Sequence, residues 1–176
     1  MTRKLLSILL AVAMLGCCAL PAFAEETYTV GICQLVQHEA LDAATKGFCD
    51  ALTDALGDKV TFIEQNASND IPTCATICSG LVADDVDLIL ANATPALQAA
   101  ATATDTIPVL GTAVTEYGVA LDIENFDGTV GGNVSGTSDL APLDQQAAML
   151  LELLPEAKTV GILYCSAEAN SVYQAQ

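Results

Sequence analysis

Residues 86–104 read V-D-L-I-L-A-N-A-T-P-A-L-Q-A-A-A-T-A-T, and this stretch decides the fold. The apolar run over residues 86–91 is typical of a buried strand. Thr94 and Pro95 then predict a helix N-cap followed by a first-turn proline, and the alanine-rich stretch after them predicts a helix to about Thr104. A buried strand that turns directly into a helix is half of a βαβ unit, the building block of a parallel sheet.

The same alternation extends to both sides of this stretch. We predict helices over residues 41–56, 72–82, 94–104 and 143–154, and Gly57 is a good stop for the first. The segment 117–132 has weak periodicity and predicts an exposed connection. Strands are predicted over residues 28–33, 60–64, 86–91, 107–110, 133–137 and 159–165. The sequence therefore predicts an α/β protein with a parallel sheet, and the last strand begins a second sheet that is not completed by Gln176.

Residues 1–24 have the three zones of a secretory signal: Arg3 and Lys4, an apolar run, and the small-residue end A-F-A at Ala24. The apolar run is too short to span a bilayer, which takes roughly 20 residues. An alternative interpretation is a lipoprotein signal, because M-L-G-C ends at Cys17. Both interpretations predict a protein exported to the periplasm or to the outer face of the cytoplasmic membrane.

The chain is strongly acidic. Its net charge is −17, and removal of residues 1–24 takes two of the five basic residues and none of the 22 acidic ones, which leaves −19. Such a surface repels nucleic acid and anionic lipid. We therefore expect no nucleic-acid partner, and membrane association only through a lipid anchor or a membrane partner.

Five of the seven cysteines remain after residue 24, and their odd number and irregular spacing are not typical of a disulfide framework. Cys33 and Cys165 fall in predicted strands, while Cys74 and Cys78 are four residues apart on one helix face. A metal site there would need further ligands, and the one histidine of the chain, His38, is distant in sequence. Buried thiols are the simpler interpretation for all of them, with no metal and no cofactor.

Neutral polar residues follow the predicted strands. In an open parallel sheet, ligands bind beyond the carboxyl ends of the strands. Hydroxyls, amides and helix N-terminal N–H groups suit the carboxylate of a small zwitterion, and Asp139 suits its ammonium group. The alternative is that strand-end loops are polar for reasons of solvation alone. The strand-end residues are Gln34, Gln65, Asn66, Asn92, Thr94, Thr112, Thr115, Ser138 and Asp139.

Enzymatic motifs fit poorly. The turn G-I-C-Q-L-V-Q-H lacks the glycine spacing of a dinucleotide fingerprint, and G-T-V-G-G-N has no lysine to make it a phosphate-binding loop. S-G-T-S-D is not a nucleophile elbow, and a Ser-His-Asp triad would have to use His38. We therefore expect a chain that is not an enzyme.

Six strings, taken in order, resemble one family. They are V-G-I-C-Q-L-V-Q-H-E-A-L-D, Q-N-A-S-N-D, D-L-I-L-A-N-A-T-P-A-L-Q-A-A, I-P-V-L-G-T-A-V-T, G-G-N-V-S-G-T-S-D and V-G-I-L-Y-C-S-A-E-A-N-S. Together they resemble the substrate-binding proteins of ABC transporters in the tryptophan/tyrosine-type family, from about Val30 to Ser171. The sequence departs from the family pattern at T-E-Y-G, where relatives more often carry Asp-Pro, so the roles of Thr115 and Glu116 stay open.

The resemblance implies two Rossmann-like lobes of the type I periplasmic-binding architecture, with the ligand clamped between them. After the signal peptide over residues 1–24, it implies a complete first lobe over 25–138, and a hinge crossing with the start of a truncated second lobe over 139–176. The implied partners are an amino acid and the membrane permease of an ABC importer.

The resemblance also implies a set of ligand-binding residues. The second lobe supplies three of them from S-A-E-A-N-S, and His38 joins the wall of the first lobe. The whole set is Gln34, His38, Asn66, Thr94, Thr112, Thr115, Ser138, Asp139, Glu168, Asn170 and Ser171. Aromatic amino acids are the favoured ligands and branched aliphatic ones the alternative. The ligand-binding ectodomain of an extracellular sensor is the alternative function.

Overall fold

The structure is a computed structural model that describes residues 26–176. The predicted signal sequence and Cys17 lie outside the described residues. The strands are β1 (Tyr28–Gln34), β2 (Val60–Asn66), β3 (Leu88–Asn92), β4 (Val109–Val114) and β5 (Val134–Ser138). The helices are α1 (Glu39–Leu56), α2 (Ile71–Ala83), α3 (Thr94–Ala103), α4 (Tyr117–Ala120), α5 (Leu143–Leu153) and α6 (Ala169–Gln174).

The five strands form one sheet in the order β2-β1-β3-β4-β5, and all of its pairs are parallel. Each of the first three helices returns the chain to the edge where the next strand begins, as the βαβ pattern predicts. All carboxyl ends therefore lie along one edge. The predicted α/β class with a parallel sheet is confirmed.

The helix ends follow from local sequence. The imidazole Nδ1 of His38 accepts a hydrogen bond from the N–H of Ala40 at 3.2 Å, which caps α1, and Gly57 ends that helix at φ 62°, where glycine is favoured. Asp70 caps α2 by accepting from the N–H of Thr73 at 3.1 Å, and a proline occupies its first turn. These termini agree with the predicted ones to within a few residues.

Two apolar clusters lie on opposite faces of the sheet. On one face, side chains such as Cys33, Ile89 and Val109 pack against α2, α3 and α4. On the other face, α1 is the helix that packs against Val30, Ile32 and Leu90. Parallel sheets need cover on both faces because their strands are apolar on both. Among the described residues, three helices cover one face and α1 covers the other. A 340 Å³ opening lined by Phe48, Leu110 and Thr112 lies on the α1 face.

Within residues 26–176, no helix is both long and apolar enough to cross a bilayer. This covers α1, which has 18 residues and a markedly amphipathic pattern.

The predicted strand over residues 159–165 is wrong. This segment is irregular and exposed, and the side chains of Ile162 and Leu163 are 65% and 101% exposed. Its sequence has the composition of a strand, but no strand among residues 26–176 lies beside it to pair with its backbone. Cys165 is consequently exposed, which also corrects the expectation that every thiol is buried.

Two further expectations need correction. The segment 117–132 is not exposed throughout, because its first residues form α4, in which Tyr117 and Ala120 are buried. Thr94 is not the N-cap of α3, because Ala93 occupies that position. Thr94 is the first residue of the helix, and no side chain caps this end by a hydrogen bond.

Candidate functional site

The strand register brings several of the predicted site residues into one row. Gln34 is paired with Asn66 on one side and with Asn92 on the other, and Asn92 is paired with Thr112. Partners in a parallel ladder share a face of the sheet, so these polar side chains start from the same face. It is the face that α1 covers.

Gln34 is engaged in a buried network under α1. Its Oε1 accepts from the Thr45 hydroxyl at 2.7 Å, and its Nε2 donates to the Asp42 carboxylate at 2.6 Å and to the Val36 carbonyl at 2.9 Å. Asn92 Nδ2 donates to Thr45 Oγ1 at 2.9 Å, which joins β3 to the same network. The network holds the start of α1 on the carboxyl edge of the sheet, a use for Gln34 that the sequence did not indicate.

The turn from β3 into α3 holds an unusual combination of features. Ala93 has φ 93° and ψ 157°, a region almost reserved for glycine, which costs on the order of 1–3 kcal/mol. The next residue, Thr94, is 2% exposed and its hydroxyl has no hydrogen-bond partner among the described residues. An unsatisfied buried hydroxyl costs about 1–3 kcal/mol. Two costs in adjacent residues, at the edge where parallel sheets generally bind ligands, make this turn a candidate functional element.

Three further predicted residues meet at the ends of β4 and β5. Ser138 donates from Oγ to the Thr115 carbonyl at 2.7 Å, and the N–H of Asp139 donates to the Val114 carbonyl at 3.0 Å. Thr115 is buried, whereas Ser138 and Asp139 are exposed. Asp139 therefore presents its carboxylate to solvent at the same edge.

Tyr117 supports this corner and was missed by sequence reasoning. Its hydroxyl donates to the Gly111 carbonyl at 3.0 Å and lies 3.2 Å from the Thr137 carbonyl. Burial, followed by the negative charge of Asp139, raises the pKa of Tyr117 to about 12. Glu116 caps α4 by accepting from the N–H groups of Gly118 and Val119 at 2.9 and 2.6 Å. The departure T-E-Y-G from the family pattern is thus a helix cap followed by a buried anchor.

The C-terminal segment returns to this corner. α6 packs against α4, and Gln174 Nε2 donates to the Thr115 hydroxyl at 3.3 Å. Glu168, Asn170 and Ser171 are all half-buried, and Asn170 Oδ1 is buried without a partner among the described residues. The structure therefore places the helix that carries Asn170 and Ser171 against α4, next to the end of β4.

The other predicted residues lie apart from this corner. His38 is exposed and caps α1, and Asn66 Oδ1 accepts from the N–H of Ser68 at 2.8 Å. Asn66 lines a 910 Å³ groove beside the edge strand β2, together with Gln34 and Lys46. Thr112 faces the opening under α1. The predicted set thus divides into a corner at the ends of β3, β4 and β5 and a separate group on the α1 side, with Thr112 of β4 in the second group.

The cysteines and acidic residues of the described chain do not form a metal site. Cys33, Cys74 and Cys78 are all fully buried in the core between β1 and α2. Hydrogen bonds with Cys74 and Cys78, together with burial, raise the pKa of the Cys33 thiol. Over residues 26–176, no group of three or more His, Cys, Asp or Glu side chains is arranged to hold a metal ion.

Comparison with known proteins gives a consistent result. A family model described as ABC transporter substrate binding protein matches residues 29–176. The chain is 45% identical over 151 residues to a tyrosine-binding protein of Clostridioides difficile, a match that covers 82% of this chain and 43% of that protein.

Two solved structures are also similar. An ABC domain from Streptococcus pneumonia in complex with L-Trp matches with a TM-score of 0.78 and 37% identity. A ligand-free, open substrate-binding protein with adhesive properties from Clostridium difficile matches with a TM-score of 0.67 and 42% identity. Both matches cover 85% of this chain and 51% of the other, so the chain spans about half the length of its relatives.

Proposed function

The chain belongs to the family of ABC transporter substrate-binding proteins, and from this premise we propose that it is part of an extracytoplasmic receptor that captures an amino acid for an importer. The observation that carries the proposal is the Thr94 hydroxyl, which is buried and unpartnered at the carboxyl edge of the sheet. The family and the relatives are binding proteins, so we propose no catalytic role.

The chemistry of the corner suits the two charged groups of an amino acid. The Thr94 hydroxyl can donate to a carboxylate, and the first N–H groups of α3 carry no intrahelical bond and add a positive dipole end. The Asp139 carboxylate and the unpartnered Asn170 Oδ1 can accept from an ammonium group. A zwitterion would therefore satisfy atoms that the chain alone leaves unsatisfied.

We propose an aromatic amino acid as the ligand, with a branched aliphatic one as the alternative. The proposal is supported by the relatives, of which one is named a tyrosine-binding protein and another was solved with L-Trp. A thermal-shift panel of amino acids, sugars and peptides against the intact protein tests it. Stabilisation by a sugar alone would refute the ligand class.

We further propose that residues 25–138 form a first lobe and residues 139–176 a hinge crossing and the start of a second lobe. The chain spans about half of its relatives, and its parallel sheet ends at Ser138. In this arrangement the ligand is held between lobes, and the loaded receptor docks on the membrane permease of the transporter.

The test of the site uses Thr94→Val and Asp139→Asn in the intact protein. One charge-assisted hydrogen bond contributes about 1.5–3 kcal/mol, so each change should raise the Kd roughly ten- to a hundred-fold. The melting temperature without ligand should stay the same or rise for Thr94→Val, because valine has the same shape and removes an unsatisfied buried hydroxyl. Calorimetric titration and thermal melts measure both effects.

Thr45→Val is the matched control, because Thr45 is also a buried threonine but its hydroxyl is fully engaged with Gln34 and Asn92. We expect this variant to lower the melting temperature and to keep the Kd of the native protein. If Thr94→Val kept full affinity, or lost as much stability as Thr45→Val, Thr94 would be a structural residue only.

A further inference from the structure

The helix α3 begins without a side-chain cap. The N-cap residues of α1, α2 and α4 each accept a hydrogen bond from an N–H of the helix that they begin, and these residues are His38, Asp70 and Glu116. At the start of α3 this position holds Ala93, whose methyl group can accept no hydrogen bond. Serine, threonine, aspartate and asparagine are strongly preferred as N-caps because their oxygen accepts from the second or third helical N–H. The start of α3 therefore lacks the acceptor that the other three helices have.

The lack of a cap concerns one backbone N–H in particular. The first intrahelical bond of α3 runs from the N–H of Leu97 to the Ala93 carbonyl at 3.0 Å. The second helical residue is Pro95, which has no N–H, so a side chain at position 93 could cap only the N–H of Ala96. Ala96 is fully buried, and a buried backbone N–H normally has a hydrogen-bond partner. The N–H of Ala96 is therefore a donor for which the N-cap side chain supplies no acceptor.

The backbone of Ala93 would allow a capping side chain to reach this N–H. Its ψ of 157° lies in the extended range that N-cap residues use. Rotation about φ leaves the placement of Cβ relative to the following N–H groups unchanged, so the positive φ does not prevent capping. The N–H of Ala93 also donates to the Thr112 carbonyl at 3.0 Å, which fixes the turn to β4. The helix is thus uncapped because residue 93 is alanine, and not because the turn has the wrong shape.

The Thr94 hydroxyl is a second donor in the same helical turn. It is buried and has no hydrogen-bond partner among the described residues. Both donors lie at the start of α3, where the helix dipole is positive, and at the carboxyl edge of the sheet. A hydroxyl and an N–H at a helix N-terminus match the two oxygens of a carboxylate.

We infer that Ala93 is a specificity-determining residue, which keeps the N-terminus of α3 open so that the carboxylate of the ligand acts as the cap of the helix. The inference rests on the proposed receptor function. A side-chain oxygen at position 93 would compete with the ligand for the Ala96 N–H at a high effective concentration. Such a side chain should stabilise the protein and weaken binding, so the two properties should change in opposite directions.

The first experiment compares Ala93→Ser with the native intact protein by calorimetric titration and thermal melts. The probes are L-tyrosine, L-tryptophan and their primary amides, which lack the carboxylate. We expect Ala93→Ser to raise the Kd of the amino acid roughly ten- to a hundred-fold, the range of one charge-assisted hydrogen bond, and to raise the melting temperature without ligand. The Kd of the amide should change less, so the variant should lose much of the preference for the acid over the amide.

Ala93→Gly is the matched control, because it also alters residue 93 but supplies no acceptor. Glycine is favoured at the φ of 93°, so this variant should likewise raise the melting temperature. Its Kd for the amino acid should stay at the native value. Equal weakening of binding by glycine and serine, or native affinity in Ala93→Ser, would overturn the inference while leaving the receptor function in place.

A second experiment needs no ligand, so it remains decisive if no amino acid binds. In the protein without ligand, Ala93→Ser should slow amide hydrogen exchange at Ala96, and Ala93→Gly should not. An unchanged exchange rate at Ala96 in the serine variant would overturn the inference even if amino acids bind. If neither amino acid bound the native protein and the serine variant still slowed this exchange, the proposed ligand alone would be refuted.

Discussion

Tyr117 shows how one side chain can join two strands at a sheet edge. Its hydroxyl is placed between the carbonyls of Gly111 in β4 and Thr137 in β5. It can reach them because Gly111 and Gly136 have no side chains: a Cβ at either position would overlap the Tyr117 hydroxyl. The register shift between β4 and β5 falls after Gly111, so the tyrosine anchors the pair where the ladder is irregular.

The raised pKa of Tyr117 predicts a loss of stability at alkaline pH. The folded chain holds this proton up to about pH 12, whereas an unfolded tyrosine releases it near its ordinary pKa of 10.0. The contribution to stability is therefore complete below about pH 10 and disappears as the pH rises through 12. Urea unfolding at several pH values between 8 and 12 should show a falling free energy of unfolding, and Tyr117→Phe should reduce the slope.

Tyr164→Phe is the control for this measurement, because Tyr164 is 51% exposed and lies in the irregular segment. Its slope should match that of the native chain. If the free energy of unfolding of Tyr117→Phe fell with pH as steeply as that of the native chain, other groups would be the cause of the alkaline loss of stability.

At the scale of elements, β5 depends on a close approach of backbones. Gly136 has φ 152°, and a Cβ there would overlap the Gly111 carbonyl oxygen as well as the Tyr117 hydroxyl. Gly136→Ala should lower the free energy of unfolding by about 2–3 kcal/mol, because β5 must move away from β4. Chemical denaturation of the purified chain measures the change.

Gly47→Ala is the opposite case and serves as its control. Gly47 lies inside α1, and a Cβ there meets nothing within 4 Å. We expect it to raise the free energy of unfolding by about 0.5–1 kcal/mol, the ordinary gain of alanine over glycine in a helix. Equal destabilisation by the two substitutions would show that Gly136 is not special.

The elements with strong local signals could be predicted from the sequence. The strand–Pro–helix pattern predicted β3 and α3, and the periodicity before Gly57 predicted α1. The segment 159–165 has an equally strong apolar pattern and is not a strand. A strand is made by its neighbours, and its own composition cannot supply them. Local sequence therefore could not predict whether an apolar segment pairs with the sheet.

The location of the candidate site could be proposed from the sequence, whereas its detailed contacts could not. Topology places ligands at the carboxyl edge, which predicted the importance of the turn at Thr94 and of the ends of β4 and β5. The absence of a partner for the Thr94 hydroxyl depends on atoms from several elements. The same is true of the network that engages Gln34 with Asp42 and Thr45, which no spacing rule predicts. Individual roles of the predicted residues stay predictions until binding is measured.

At the scale of the molecule, the chain is one side of a proposed clamp. It covers 51% of the solved relatives, and the described corner is open to solvent at Asp139. Closure around a ligand excludes water and strengthens charge-assisted bonds. Residues 25–176 alone should therefore show no micromolar calorimetric signal with any amino acid that the intact protein binds. A micromolar signal from the isolated chain would contradict the two-lobed site.

The isolated chain should also associate with itself through the segment 158–165. Here Val160, Ile162 and Leu163 are 57%, 65% and 101% exposed, and no strand of the described residues pairs with the segment. An exposed apolar segment of strand-like composition can pair with the same segment of a second copy. The net charge of −19 without residues 1–24 opposes this contact, and salt screens charge over about 10 Å at 0.1 M and about 3 Å at 1 M.

Sedimentation velocity of residues 25–176 should accordingly show oligomers that increase with protein and salt concentration. Ile162→Lys should shift the chain toward monomer, because it places a charge in the apolar segment where a second copy would pair. Val119→Lys adds the same charge at an apolar position that is 41% exposed on α4, so it should leave the association at nearly the native level. A native chain that stays monomeric at high salt, with a sharp melting transition, would show that the apolar segment is covered in solution. The assignment of residues 139–176 to a second lobe would then be wrong, because the segment would belong to the same folding unit as the sheet.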